Sequence, residues 1–431
     1  MKGAYRFLSN EAVGEKYLIS GLQRACQQMA ADRDVLAFCD STSFNMVQRR
    51  CKVKDFEGMG PIEYGHSNPS IGFLAHPVLV HERQTGLTMG IAALSLWSRA
   101  KQPIRERSKR FESKHIEIEQ KESFKWIGPC LESRDKVLDQ AKHITFVMDR
   151  EGDIMEVFDR IPNEKTDVVV RSRHDRWVQT DAHKRIKLSA LLAAQKVLGH
   201  TTVRIENGPT RKKRTAKMSI KYGEATLLWP AHKKVLTKYF PQGVKVFYLV
   251  LKELKTPQGE APLRWVLLTS EKIETNPEAL EIKRIYEQRW RIEEFFKLIK
   301  SDGYDIESSE LGSGKAIRKL TIKIMEASIK VQQLKSARTG EGDLTVRDLF
   351  DEEEQQCLEF LNAEVEGKTE RQKNPYPRNH LAWASWVVAR LGGWQVYDKK
   401  RLPGNKTFIW GLERFDMALF TFKAMKRKDV S

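Results

Sequence analysis

Two apolar runs, each ending on an aspartate, constrain this chain most. Val35-Leu-Ala-Phe-Cys-Asp40 leads straight into Ser-Thr-Ser, and His143-Ile-Thr-Phe-Val-Met-Asp149 leads into Arg-Glu-Gly-Asp153. A continuous apolar run closed by small polar residues has no solvated face, so each predicts a strand buried inside a sheet. Ile71 to Glu82 and Gly86 to Trp97, joined by Arg83-Gln-Thr-Gly86, predict two more strands that form an antiparallel meander with the first. A helix over 11–33 precedes them, and a helix (Ile154 to Ile161) and a strand (Val168 to Arg171) follow the second aspartate. Strands and helices in that order predict a mixed α/β sheet with helices on its faces.

Residues 175–270 change character. Thr201 to Ile205, Met218 to Tyr222, Glu224 to Trp229, Val244 to Leu251 and Leu263 to Thr269 read as strands between Gly/Pro turns. This stretch is expected to be an all-β insertion, and it carries the basic run Arg211-Lys-Lys-Arg214. The chain then divides as a helical segment (1–34), a catalytic core in two parts (35–174 and 271–337) around the insertion (175–270), and a C-terminal helical region (338–431). The aromatic residues of that last region, Trp383, Trp386, Trp394, Trp410, Phe415, Phe420 and Phe422, predict internal packing and dimer contact.

The second core part holds Tyr286-Glu-Gln-Arg289-Trp-Arg-Ile-Glu293-Glu-Phe-Phe-Lys297-Leu-Ile-Lys300. Thr275-Asn-Pro-Glu278 predicts the start of a helix and Gly303 its end. At about 100° per residue, Tyr286, Arg289, Glu293, Lys297 and Lys300 share one stripe. Ile285, Ile292, Phe295, Phe296 and Ile299 share the neighbouring, apolar one. A carboxylate at a buried strand end is costly unless paired or metal-bound. Asp40, Asp149 and Glu293 are therefore expected to converge. Oxygen-only ligands suit Mg²⁺ or Mn²⁺, and three carboxylates can share two such ions for an in-line phosphoryl displacement. Arg171, Arg289, Lys297 and Lys300 would then grip phosphates.

The net charge of +18 favours a polyanionic partner, most simply nucleic acid. No apolar run approaches the roughly 18 residues of a membrane span, and the start Met1-Lys-Gly-Ala-Tyr-Arg-Phe has no apolar signal core. Cysteines 26, 39, 51, 130 and 357 form no C-x-x-C pair, which argues against a zinc site or a disulfide framework and for the reducing cytosol. His66, His76 and His81 lack metal-type spacing and read as structural.

The spacing Tyr286-x2-Arg289-x3-Glu293-x6-Lys300 resembles the signature of bacterial insertion-sequence transposases with a DDE active site, of the composite-transposon, cut-and-paste type. Asp40-Ser-Thr-Ser, Asp149-Arg-Glu-Gly-Asp153, Val170-Arg171-Ser172 and Leu263-Arg-Trp265-Val-Leu-Leu-Thr-Ser-Glu271 carry the resemblance along the chain. It implies a ribonuclease-H-like mixed sheet core with an all-β insertion and a helical C-terminal domain. It also implies a homodimer on double-stranded DNA, both transposon ends and target, in the bacterial cytoplasm at the nucleoid. There, water frees a 3′-hydroxyl, that hydroxyl forms a hairpin, and the resolved end attacks target DNA. Asp40, Asp149 and Glu293 would hold two metal ions. Arg171, Tyr286, Arg289, Lys297 and Lys300 would contact end phosphates, and Trp265 would stack on a flipped base. The family's N-terminal end-recognition segment is expected to be missing here. That leaves an alternative: a truncated inhibitor acting by mixed dimers with full-length transposase. Phe296 replaces a residue that is polar or histidine in related members. Blander roles stay open: an intrahelical pair for Glu293, a helix cap for Asp149, packing for Tyr286 and core for Trp265.

Overall fold

The computed structural model describes residues 2–46, 53–63, 70–99, 116–180, 184–208, 211–230, 242–395 and 402–429. Cys51, His66 and residues 100–115 of the charged 99–123 segment lie outside them. Two helices open the chain, α1 (Lys2–Ser9) and α2 (Glu15–Ala30). Then come β1 (Asp34–Cys39), β2 (Thr42–Asn45), the short β3 (Gly60–Pro61), β4 (Ile71–Glu82) and β5 (Thr88–Trp97). The helix α3 (Gly128–Glu132), β6 (His143–Met148), α4 (Met155–Arg160) and β7 (Thr166–Arg171) complete the first half.

β1 pairs antiparallel with β4, β4 pairs antiparallel with β5, and β1, β6 and β7 run parallel side by side. The period of two along each central strand sorts its side chains onto two faces. Val35, Ala37, Cys39, Ile144, Phe146 and Met148 join one core, with Trp126 and Val157. Leu36, Phe38, Val147 and Val169 join the other. The result is a mixed α/β fold with helices over a large sheet.

The strands after β7 add to this sheet. They are β8 (Trp177–Gln179), β9 (Arg185–Lys187), β10 (Gly199–Ile205), β11 (Arg214–Leu227), β12 (Val244–Glu253) and β13 (Arg264–Thr269). β13 pairs with β7, so the 13-stranded sheet continues through β12 and β11 to β8 and β9. Two expectations need correcting. Met218–Tyr222 and the run from Glu224 to Leu227 are one strand, β11, because Gly223 is paired in register with Tyr248, and Trp229 lies beyond its end. The stretch also contains a helix, α5 (Leu188–Ala194), so it is not all β. Leu-Ser-Ala-Leu-Leu-Ala-Ala is rich in strong helix formers, and Leu188 and Leu192 bury one side of it.

The chain returns through α6 (Asn276–Glu287) and α7 (Trp290–Lys300), then α8 (Gly314–Ala337). α9 (Glu352–Val365), α10 (Leu381–Leu391) and α11 (Asn405–Asp429) follow. α10 is apolar enough to be buried along most of its length, between α8, α9 and α11. Ser385 Oγ donates to the Leu334 carbonyl of α8 at 2.7 Å, which satisfies a buried hydroxyl at that contact.

Candidate active site

The α6–α7 segment begins as the sequence predicts. Thr275 accepts from the Glu278 amide and Glu278 reaches back to the Thr275 amide, a complete capping box with Pro277 in the first turn. The single predicted helix is interrupted, however, at Gln288–Arg289. There the amides of Arg289 and Ile292 bond three residues back, to Tyr286 and Arg289 carbonyls, at 3.1 and 3.2 Å. This is a 3₁₀-type tightening, which turns the chain by about 120° per residue in place of about 100°. The apolar stripe survives it: Ile285, Ile292, Phe295, Phe296 and Ile299 are all buried against the sheet face that carries Phe38 and Val147. At the far end, a Cβ on Gly303 would lie 2.5 Å from the Leu298 carbonyl oxygen, so close approach demands glycine there.

Strand register sets the rest. Cys39 pairs with Met148, and Met148 with Val170. One residue further on, Asp40, Asp149 and Arg171 follow the ends of three adjacent parallel positions, at a strand spacing of about 4.8 Å. Parallel strands ending together thus place two aspartates and an arginine in one row. α7 lays Glu293 and Arg289 across it. Arg289 Nη1 donates to Asp40 Oδ2 at 3.2 Å, and Arg289 Nη2 donates to Glu293 Oε1. Asp40 Oδ1 accepts from the Ser41 amide at 2.7 Å. Asp149 Oδ1 accepts from the Glu151 amide at 2.8 Å, so it does cap the turn that follows it, with one oxygen.

Electrostatics report the same convergence. Burial raises the Asp40 carboxyl to about 6. The Asp149 charge raises it next, Arg289 and the Ser41 amide oppose, and Glu293 raises it further. Asp40 therefore senses both other carboxylates. Lys300 reaches from the last turn of α7 to the Ser43 carbonyl, three residues past Asp40, and lies 3.8 Å from Glu307. Its burial lowers the ammonium below its ordinary value.

The remaining predicted residues spread outward. Lys297 is exposed, with its ammonium 4.9 Å from the Trp290 ring centre. Arg171 Nη2 donates to the Arg264 carbonyl at 3.4 Å. Trp265 is half-buried and meets Tyr286 edge-on at 5.3 Å. Trp265 is therefore neither fully core nor free, and buried Tyr286 braces it. Arg214 of the basic run is taken by Glu253 at 2.9 Å, and Lys213 by Glu206 at 2.9 Å. Phe296 is buried, in keeping with an apolar residue at that position.

Sequence reasoning gave Asp153 no role of its own and read His76 as structural. Asp153 is buried. Its Oδ2 accepts from the amides of Arg173 and His174 at 2.7 and 2.9 Å, and its Oδ1 from Arg176 at 2.8 Å. It ties the loop after β7 to the Asp149 turn. Its place four residues after Asp149 was the available signal. His76, in β4, bonds Ser41 Oγ at 2.9 Å beneath Asp40 and meets Trp126 edge-on at 4.8 Å.

Among the described residues, only His143, Asp167 and Glu271 bring three ligand atoms within 4.8 Å of one another. They sit at the opposite end of the strands, since His143 opens β6 and Asp149 follows its end, about 20 Å away. Their polar atoms already have partners. Arg83 holds both Glu271 oxygens at 2.6 and 3.2 Å, and Asp167 is shared by His143 at 3.0 Å and Ser270 at 2.6 Å. The looser trio of Asp40, Asp149 and Glu293 has a single arginine between two of its members.

Residues 129–323 match the family model of the transposase DDE domain. The span holds Asp149, Arg171, Trp265 and all of Tyr286 to Lys300, and it leaves Asp40 outside. The match supports a transposase function of DDE type. No helix among the described residues is long and apolar enough to cross a membrane.

Proposed function

We propose that this chain is a cut-and-paste DNA transposase whose active site is Asp40, Asp149 and Glu293. The observation that carries this reading is the placement of Asp40 and Asp149 at the ends of the paired parallel strands β1 and β6, with Arg289 bonding Asp40 to Glu293 of α7. The donor set fits divalent metal. It offers oxygens only, from three acids whose repulsion a dication relieves, with Arg289 already providing a positive charge between two of them. Two such ions, when bound by these residues, activate the attacking oxygen and stabilise the leaving oxygen of a phosphodiester displacement.

The chain's own side chains do the positioning. Lys300, fixed by the Ser43 carbonyl beside the Asp40 turn, is placed to neutralise a phosphate at the scissile strand. Arg171, next to Asp149 in the strand row, takes a neighbouring phosphate, and Lys297 reaches one from the exposed side of α7. Trp265 offers a ring face to an extruded base, held at its edge by Tyr286. β4 antiparallel to its neighbours β1 and β5, with β6 and β7 parallel to β1, supports a ribonuclease-H-like core. The stretch between β7 and α6 is then an insertion that shares the core's sheet. A dimer on paired ends is part of the same proposal.

The test incubates the full chain with Mg²⁺ and a labelled duplex carrying the ends of its own mobile element. Wild-type protein is expected to give nicked and hairpin products, and Glu293→Ala at least a thousand-fold less of both. Equal product from the variant, or none from the wild type with Mg²⁺ or Mn²⁺, overturns the reading.

A further inference from the structure

β8 and β9 end the sheet and carry an arrangement the proposed chemistry does not use. Trp177 pairs with Lys187 across the hairpin, and Gln179 with Arg185. Val178 is fully buried, so Trp177 and Gln179 point the other way, and Trp177 is 40 % exposed. Arg185 lies 4.6 Å and Lys187 4.4 Å from the Trp177 ring centre. Lys187 Nζ also donates to the Asp175 carbonyl at 3.0 Å. Neither cation has an ion-pair partner among the described residues.

Register shows which face this is. Arg171 pairs with Leu267, Leu267 with Leu249, and Leu249 with Tyr222. Thr226, four residues beyond Tyr222 on β11, pairs with Gln179. Even offsets preserve the face at every step. Arg171, Trp265, Gln179, Trp177, Arg185 and Lys187 therefore all stand on one face of the sheet. Five strand steps lie between β7 and β9 along the twisted sheet, but the six residues from Arg171 to Trp177 span at most roughly 21 Å, or about six base pairs at roughly 3.4 Å per step along a DNA strand. The hairpin is also held to the active site: buried Asp153, in the turn after Asp149, clamps the amides of Arg173 and His174 and the Arg176 guanidinium just before β8.

We propose that the β8–β9 hairpin is a second DNA-backbone contact, in which Arg185 and Lys187, ordered against Trp177, bind phosphates within about six base pairs of the one taken by Arg171. This rests on DNA being the substrate of the proposed site. Charge on an edge strand also blocks sheet-to-sheet pairing, and β9 needs that protection. An exposed tryptophan does not serve it. A planar ring that fixes two flexible cations in one orientation serves phosphate binding, because the cations lose less freedom when the ligand arrives.

The experiment measures affinity of the full chain for a fluorescent 20-base-pair duplex between 50 and 200 mM salt, in EDTA. The double variant Arg185→Gln/Lys187→Gln is expected to bind about ten-fold more weakly at 100 mM. Its slope of log affinity against log salt should be shallower by about 2, or roughly 0.9 for each phosphate that is no longer neutralised. Trp177→Ala is expected to lose about three-fold, and Trp177→Phe to recover it. Circular dichroism and the melting midpoint establish that each variant is folded. Unchanged affinity and slope in the double variant overturn the proposal and leave the hairpin as a protected edge. Glu293→Ala separates the two readings. If wild type cleaves and the hairpin variants bind normally, only the hairpin proposal falls. If wild type never cleaves but the hairpin variants lose affinity, the catalytic reading falls and the hairpin proposal stands. A wild-type chain that binds no duplex overturns both.

Discussion

Arg289 is the residue on which the candidate site balances. Its guanidinium bonds Asp40 and Glu293 together, and it opposes the upward pull that burial and Asp149 exert on the Asp40 carboxyl. Removing one charge from such a half-buried group leaves two carboxylates facing each other. We expect Arg289→Ala to lose about 1–3 kcal/mol of stability in EDTA. Mg²⁺ should restore more of it than it adds to the wild type, as read from the melting midpoints of both proteins with and without Mg²⁺. An equal Mg²⁺ shift in the two would mean that the ion and the guanidinium do not serve the same charges. His76 makes a separate prediction. Burial, with the Lys125 charge adding to it, lowers the imidazole from its ordinary 6.5 to about 3. His81 is lowered by burial and then by Arg291. The unfolded chain binds protons that the folded chain refuses, so this stability is complete above about 6.5 and is lost as pH falls towards 3. The slope is about 1.4 kcal/mol per pH unit for each histidine. Denaturant titrations of His76→Gln between pH 6.5 and 4 should show a shallower decline than wild type, whatever the variant's stability at neutral pH.

At the scale of elements, the α6–α7 pair shows what a motif transmits. Its capping box lies at the predicted residues because the groups involved are neighbours in sequence. Thr275→Ala should cost about 1 kcal/mol, measured by denaturant unfolding. A change below about 0.3 kcal/mol would mean that packing of Ile282 and Ile285 alone holds the first turns. The break at Gln288–Arg289 was not legible, because nothing between Tyr286 and Glu293 resembles a stop signal. What distinguishes the break is Arg289's contact with Asp40, from a strand some 250 positions away. α5 was missed for a different reason: its seven residues sit in a stretch dominated by strand patterns, where a short Ala/Leu run is easily passed over.

The whole molecule is organised by one sheet. β13 joins β7 through only three paired positions, Val169 to Arg171 with Leu267 to Thr269, yet everything from β8 to β12 hangs from that seam. Leu268 is fully buried there, paired with Val170 on one side and Tyr248 on the other. We expect Leu268→Ala to cost about 2–5 kcal/mol. Hydrogen exchange should then show β6 and β12 losing protection together, since they flank the two strands of the seam. Loss confined to β12 would mean that the strands after β7 fold as a unit of their own. Sequence reading caught most of these strands through their apolar runs, but it could not say where they would pair.

The chain by itself determined what depends on neighbours along it. Buried strands follow from unbroken apolar runs, the α6 start from Thr275 to Glu278, and the buried face of α7 from the spacing of Ile292, Phe295, Phe296 and Ile299. The types of residue able to do phosphoryl chemistry were legible for the same reason. Tertiary structure decided whatever required residues distant in sequence to meet. It set the row of Asp40, Asp149 and Arg171, because parallel register is a property of pairs of strands. It placed Arg289 between two acids, and it made Asp153 a clamp on the loop after β7. It also brought Trp177 onto the face of Arg171, which only the count of paired residues across five strands reveals. Local preference acts over a few residues and can be read from them, whereas register and burial are settled by the whole chain at once.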